Sequence, residues 1–338
     1  MSPATVTCEG GRVAKHAWMT SAAIVGLLFS AAGIAASSQP YPSRPVRLLI
    51  GYAPGGSDIP GRMLAQKLAE KLGQPFVIDN RPGAASILAT DLLSKAPPDG
   101  YTLIFSTAAH AVTYVYYQKL PYDPVRDFTP VSRVGSVPFV LVTHPAFPAT
   151  TLKEFVAVAR QKPGQLNHGS AGTGGIGHLA QALFCKQAGI DARYISYKGT
   201  GPAVLAIVSG EIHFGMPNLI GALPQVRAGK LRAFGTATAA RTTLAPEIPT
   251  LAEAGVAGVE AGTWYGINAP RGTPQAVVGR LNREILGILE NPAFGEQYAA
   301  VGVVPEPSTP QEFAAFIRSE IDKWAGVMKF AGMKQEAY

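Results

Sequence analysis

From Arg44 onward, short apolar runs rich in Val, Ile, Leu and Phe alternate with stretches whose apolar residues recur every three or four positions. The first pattern marks strands, the second helices with one buried face. Residues 46–51 read as strand, 61–72 as helix, 76–80 as strand, 87–94 as a short helix and 102–106 as strand. This rhythm predicts a parallel sheet with helices on both faces. A second block repeats it, with strands over 139–143, 168–170, 194–197, 212–216 and 232–236. Helices over 152–160, 177–187, 203–209 and 220–227 fall between them. Residues 264–269 read as a strand that returns to the first block, and amphipathic helices over 274–290 and 310–327 follow it. No internal repeat at a fixed period is visible. The fold class expected is α/β, built from two blocks.

Three strand-to-helix junctions are glycine-rich: PGGSD at 54–58, DNRPGAAS at 79–86 and GSAGTGGIG at 169–177. Glycine lets the backbone reverse sharply, and Ser or Asp ahead of a helix can bind its free N–H groups. Helix N-termini attract anions, and in open α/β sheets ligands sit at the carboxyl ends of the strands, where these turns fall. The turns therefore suit a small carboxylate held on backbone amides. In the first, the amides of Gly55, Gly56 and Ser57 can point at one carboxylate, assisted by the Ser57 hydroxyl. The plainer reading is a tight turn with a Ser/Asp cap. Asp58 reads as the helix-start residue, because its carboxylate would repel an anionic ligand. In the third turn Ser170, Thr173 and Gly174 are the expected donors, and His178 falls in the first helical turn, capping it or packing against the cleft.

Composition narrows the class. A chain of 338 residues, 47% hydrophobic and only 15% charged, can build two real cores. Residues 1–38 read as a cleaved export signal: Arg12 and Lys15, an apolar stretch over 17–34, then small residues through Ser38. A membrane anchor is the weaker alternative, and no later run is long and apolar enough to span a bilayer. Cys8 precedes that apolar stretch, which leaves Cys185 alone in the mature chain and permits no intramolecular disulfide. Its setting on a helix reads as a buried, inert thiol. Leaving out Arg12, Lys15 and Glu9 brings the net charge from +7 to +6. The basic residues are scattered, with no aromatic interleaving, which argues against nucleic acid. A mildly positive field suits small anions.

Signatures of catalysis are incomplete. Gly172, Gly174 and Gly177 give a formal G-x-G-x-x-G with Asp191 beyond it, but Asp191 precedes its strand instead of ending it, unlike a dinucleotide site. His168 stands where a hydrolase nucleophile elbow needs Gly. His110 has no nucleophile motif to pair with and reads as a hydrogen-bonded structural residue. The six His show no metal-ligand spacing, so neither a metal nor a cofactor is expected.

Taken in order, YPSRPVRLLIGYAPGGSDIPGR, IDNRPGA, APPDGYTL, LPYDPVRDFTPVSRVGSVP, GTGGIGHLAQALF, YKGTGPAVLAIVSGEIHF, RAFGTATAARTTLAPEIPTLAEAG and INAPRGTP cover nearly the whole mature chain. Together they resemble the Bug-type extracytoplasmic receptors of tripartite tricarboxylate transporters. The resemblance implies a type II periplasmic binding protein fold, two α/β lobes closing over a small organic acid. It implies crossovers near 137–140 and 261–265, so that lobe 1 comprises 39–139 with 262–338 and lobe 2 comprises 140–261. It places ligand contacts on PGGSD and brings a small hydroxyl residue, Ser106 or Thr107, into the cleft. Inner-membrane permease subunits are the implied partners of a monomeric periplasmic receptor. Two departures stand out. Ala85-Ser86-Ile87 replaces a common Gly-Gly-Asn, and His213 replaces an acidic residue ahead of Gly215-Met216-Pro217-Asn218. The second makes Met216 and Asn218 candidates for an apolar wall and a ligand hydrogen bond; a plain turn with Met216 in the core is the other reading. The function expected is capture of a mono- or dicarboxylate for delivery to a transporter. The alternative is an exported enzyme acting on a small carboxylate in the same cleft.

Overall fold

The run VRLLI forms β1 (Val46–Ile50), with Leu48, Leu49 and Ile50 fully buried, as a strand covered by helices on both faces requires. The computed structural model describes residues 41–338, together with Thr5 and Thr7. The rest of the expected export leader lies outside the described residues. After β1 come α1 (Asp58–Leu72), β2 (Phe76–Asn80), α2 (Ile87–Ser94), β3 (Thr102–Thr107), α3 (Ala109–Tyr116) and β4 (Phe128–Pro138). Helix α1 starts three residues before the expected position because Pro60 lies in its first turn, where no intrahelical N–H is needed.

Phe139 alone separates β4 from β5 (Val140–Thr143). Then follow α4 (Leu152–Arg160), β6 (Leu166–Ser170), α5 (Ile176–Ala188), β7 (Ala192–Ser196), α6 (Thr200–Val208), β8 (Phe214–Gly215), α7 (Leu219–Arg227) and β9 (Arg232–Thr236). The remaining elements are β10 (Gly262–Pro270), α8 (Gln275–Leu289), α9 (Pro292–Ala300), β11 (Val304–Pro305) and α10 (Pro310–Ala331).

Two sheets result, ordered β11-β4-β10-β3-β1-β2 and β7-β6-β8-β5-β9. Neither is purely parallel, which corrects the expectation from the strand–helix rhythm. β1 pairs in parallel with β2 and β3, and β6 with β7 and β8. β10 is antiparallel to both β3 and β4, and β5 to both β8 and β9. The reason is connectivity: β5 and β10 enter their sheets from the other sheet, against the direction of the strands that end at the gap. The two passing segments lie side by side. Gly262 pairs with Pro138, and the Phe139 N–H donates to the Ala261 carbonyl at 3.3 Å. Helix α10 packs on the first sheet through Phe313, whose ring meets Trp264 of β10 edge-on with centroids 5.5 Å apart, and it starts at a Thr309/Glu312 capping box. No helix among the described residues is long and apolar enough to cross a membrane.

Candidate functional site

Five helices begin at one cavity between the sheets. Each follows a strand that ends there: β1 leads to α1, β3 to α3, β6 to α5, β7 to α6 and β8 to α7. Residues at or beside the five starts line the cavity: Ser57, Thr107, Gly175, Ile176, Thr200 and Asn218. Elsewhere, Thr151, Asn291 and Thr309 cap α4, α9 and α10 with their side chains. Helices α1, α3, α5 and α6 start without a side-chain cap, as do α2 and α8. Only α7 of the five is capped, by Asn218 accepting from the Gly221 N–H at 3.1 Å. In α1 the Gly55 and Gly56 carbonyls accept from the Asp58 and Ile59 N–H groups at 3.1 and 3.2 Å, and in α3 Thr107 Oγ1 accepts from the Ala109 N–H at 3.2 Å. The starts of α5 and α6 keep N–H groups open to an acceptor, and the helix dipoles favour a negative one.

Side chains add hydroxyl donors to this field. The Tyr265 hydroxyl donates to Ser57 Oγ at 3.2 Å, and Asn218 Nδ2 lies 3.5 Å from the same phenol oxygen. The Tyr52 hydroxyl and Thr107 Oγ1 are 3.3 Å apart, and Ser170 Oγ and the Tyr194 hydroxyl are 2.8 Å apart. Burial pushes the Tyr52 phenol up to about 12 and raises that of Tyr265 further, so both remain protonated donors at neutral pH. No charged side chain is among the lining residues. Phe139, Ile176, Ile207 and Met216 supply apolar wall, and about 40 Å³ is open to the centre of a water-sized sphere. One water needs only ~10–15 Å³ on that measure.

The structure thus brings Ser57, Thr107, Ser170, Met216 and Asn218 together around the cavity. It holds the other expected residues outside the lining. Asp58, 2% exposed, turns its carboxylate to Arg62 Nε (2.5 Å) and Asn80 Nδ2 (2.7 Å). Ser106 faces the neighbouring strand, donating to the Gly266 carbonyl at 3.0 Å and accepting from Asn268 Nδ2 at 2.7 Å. Gly55 and Gly56 shape the turn. Gly56 sits at φ +51°, and a Cβ there would lie 2.9 Å from Thr200 Cβ across the gap between the sheets. Gly174 has φ +69° beneath Tyr116, 2.6 Å from where a Cβ would be. Its N–H donates to His178 Nδ1 at 3.2 Å. His178 stacks on Tyr194 with centroids 3.9 Å apart, and burial, then the nearby His168, lowers its pKa to about 4. Thr173 lies in a second, outer cavity that shares Tyr52, Ala171 and Gly172 with the inner one.

Sequence reasoning missed Tyr52, Phe139, Thr200 and Thr263 among the lining residues. Thr200 had a readable signal: YKGTGP is a fourth glycine-rich junction between strand and helix. Phe139 and Thr263 sit on the two passing segments, within the crossovers the resemblance implied near 137–140 and 261–265, which singled out neither residue. Of the other reactive groups, His110 is buried, bonded through Nε2 to the Pro124 carbonyl at 2.9 Å, and lowered to about 4 by desolvation. Burial, then Asp191, pushes the Cys185 thiol up to about 12, far from a thiolate nucleophile. Among the described residues no three His, Cys, Asp or Glu side chains are placed to share a metal ion.

The profile described as the tripartite tricarboxylate transporter family receptor matches residues 61–333. Protein BugT of Bordetella pertussis is 38% identical over 317 residues, 92% of this chain and 97% of that one. An R. palustris protein solved with adipate is 35% identical and superposes with a TM-score of 0.86, over 88% of this chain and 100% of the other. The periplasmic binding protein BugD, 28% identical, superposes with a TM-score of 0.84 over the same shares. With two α/β sheets around a cleft and this likeness along its length, the chain has a periplasmic binding protein fold and belongs to the tripartite tricarboxylate transporter receptor family.

Proposed function

We propose that this protein captures a small organic acid in its cleft, in the periplasm, and presents it to the inner-membrane permease subunits of a tripartite transporter. The observation that carries this reading is the convergence of five helix N-termini, four without side-chain caps, on a cavity lined by hydroxyls and no charged residue. Such a site holds a carboxylate through backbone N–H groups and bridging water. The adipate bound by the R. palustris relative supports the same ligand class. The protein acts as a monomer after removal of a leader near residue 38. Its lobes are 39–139 with 262–338, and 140–261, and they close on the ligand about the paired segments at Phe139 and Ala261. The hydroxyls of Ser57, Thr107, Ser170 and Thr200 and the Asn218 amide are its direct or water-bridged contacts.

The protein turns nothing over on this reading; the competing one is an exported enzyme on the same acids. Thermal shift and calorimetry against a panel of mono-, di- and tricarboxylates and amino acids, alongside product analysis of the same mixtures, separate the two. One or more acids should raise Tm without conversion; at a hundredfold excess over Kd the stabilisation is about 2.7 kcal/mol. Conversion of a bound acid would establish the enzyme, and a panel with no binder would remove the carboxylate reading.

A further inference from the structure

The inner and outer cavities meet at Tyr52 and the Ala171-Gly172 turn, which line both. They differ in size. The outer space is open to the centre of a water-sized sphere over about 300 Å³, the inner over about 40 Å³. At about 10–15 Å³ per water on that measure, the inner space holds about three waters, roughly the bulk of a four-carbon acid. The group at the boundary therefore decides how long a ligand can be.

That group is the methyl of Ala85, on the turn over residues 83–86 that leads into α2. Ala85 lines the outer cavity and is 4% exposed. Across the gap between the sheets it packs on the turn that starts α5. A Cβ at Gly172 would lie 3.2 Å from the Ala85 Cβ, and one at Gly175, which lines the inner cavity and not the outer, 3.4 Å from it.

The backbone takes an unfavourable shape to place this methyl. Ala84, Ala85 and Ser86 have φ of 45°, 50° and 78°, a region uncommon for residues other than Gly. The turn is pinned from behind. Ser86 is buried against Gly51, where a Cβ would lie 1.8 Å from Ser86 Oγ. Its N–H donates to the Gly83 carbonyl at 3.0 Å, its carbonyl accepts from Thr90 Oγ1 at 2.9 Å, and the next residue, Ile87, is fully buried. A glycine after Ala84 would meet the same anchors without the strain, so the methyl is kept against the preference of its own backbone, at a place where it parts two cavities. Ala85 also lies outside the stretches shared with the receptor family, in one of the two departures from it.

We propose that Ala85 is a specificity-determining residue that limits ligand length. Its methyl closes the inner cavity against Gly172 and Gly175, so a short acid is enclosed and the tail of a longer one is stopped before the outer cavity. This rests on the carboxylate reading of the inner site and adds to it the size of acid taken.

The test is calorimetry with ethanoate, butanoate, hexanoate and octanoate, and the diacids of the same lengths, on the wild-type chain, Ala85→Gly and Ala84→Gly. The wild-type protein should bind an acid of about four carbons and hold the eight-carbon acids about tenfold or more weakly, as for overfilling a packed space. In Ala85→Gly the six-carbon acid should gain about tenfold relative to the four-carbon one, since each methylene moved from water to an apolar space favours binding about fourfold. Ala84→Gly relieves the same strain at an exposed position and should leave that ratio within about twofold. Both variants should unfold at higher urea than the wild type, so a ratio that changes in Ala85→Gly alone reports the methyl and not the strain. An unchanged ratio in Ala85→Gly, an equal change in Ala84→Gly, or a wild-type protein that binds eight-carbon acids as tightly as four-carbon ones would overturn the role of Ala85 while leaving the carboxylate site standing. No binding of any acid to the wild-type chain would instead overturn the inner-site reading, and this proposal with it.

Discussion

Gly56→Val separates the two things the PGGSD turn does. Gly56 has φ +51°, where a residue with a Cβ loses about 1–2 kcal/mol. That cost belongs to the turn itself, with or without ligand, so it lowers the stability of the free protein without touching affinity. The second effect is steric. A Cβ at Gly56 lies 2.9 Å from Thr200 Cβ, and Val adds two methyl groups beyond it, so the start of α6 must back away from the start of α1. Retreat of one helix start removes a share of the N–H field from the carboxylate. Hydrogen bonds to a charged group contribute about 1.5–3 kcal/mol each, so losing one weakens binding more than tenfold. Urea unfolding of the free protein should therefore show a loss of about 1–2 kcal/mol, and calorimetry with the acid chosen by the panel a Kd raised well over tenfold. Thr200→Gly removes the opposing Cβ together with a proposed ligand hydroxyl, so the double variant Gly56→Ala, Thr200→Gly should lose less affinity than the two single losses added together, a coupling a double-mutant cycle measures. Unchanged affinity in Gly56→Val, with only the free protein weakened, would refute the reasoning, because the turn would then not meet α6 in the bound form.

Met216 is 1% exposed and lines the cavity, so Met216→Ala should both reorder the panel by affinity and cost roughly 2–4 kcal/mol in urea unfolding; a stability loss with an unchanged order would assign it to the core alone. Ala84, Ala85 and Ser86 all have positive φ, so Ala85→Gly and Ser86→Gly should each raise stability by about 0.5–1 kcal/mol, and a drop in Tm for both would contradict the strain. His110 and His178 are held near 4 in the folded protein against 6.5 unfolded, so the unfolded chain takes up more protons between those values. Their contribution is complete above pH 6.5 and falls away as pH drops toward 4; urea midpoints at pH 7 and 4.5 should show the decline, and His110→Gln should flatten it. Ligand should compact the molecule in small-angle scattering, and an unchanged radius of gyration at saturation would argue against closure about Phe139 and Ala261.

The elements visible in the sequence are those whose pattern is local. β1 and α1 announce themselves because a buried parallel strand is apolar at nearly every position, Arg47 excepted, and a covering helix is apolar every third or fourth residue. β4 does not, because TPVSRVGSVP carries Pro130, Gly135 and Pro138 and is held by pairing with β10, more than a hundred residues away. α3 is hidden by its composition: AHAVTYVY is rich in β-branched and aromatic residues, and tertiary burial overrides that preference. The site divides in the same way. Glycine-rich junctions marked the loops, but which residue of a loop turns inward depends on what packs behind it. Neighbours Ser106 and Thr107 point to opposite faces of β3, and only the presence of β10 decides that Ser106 is taken up by the Gly266 carbonyl and Asn268. His178 and Gly174 likewise belong to the packing of Tyr116 and Tyr194, residues 58 and 20 positions from Gly174.

The donors at the starts of α5 and α6 are main-chain atoms, and a codon change that swaps a side chain does not delete them unless it introduces proline. Anchoring and selectivity are therefore written in different parts of the molecule. Exchanging Met216 or Ile176 for another apolar side chain changes the wall an acid would meet and leaves those N–H groups in place. A receptor built this way can drift from one nutrient to the next without passing through a sequence that binds nothing.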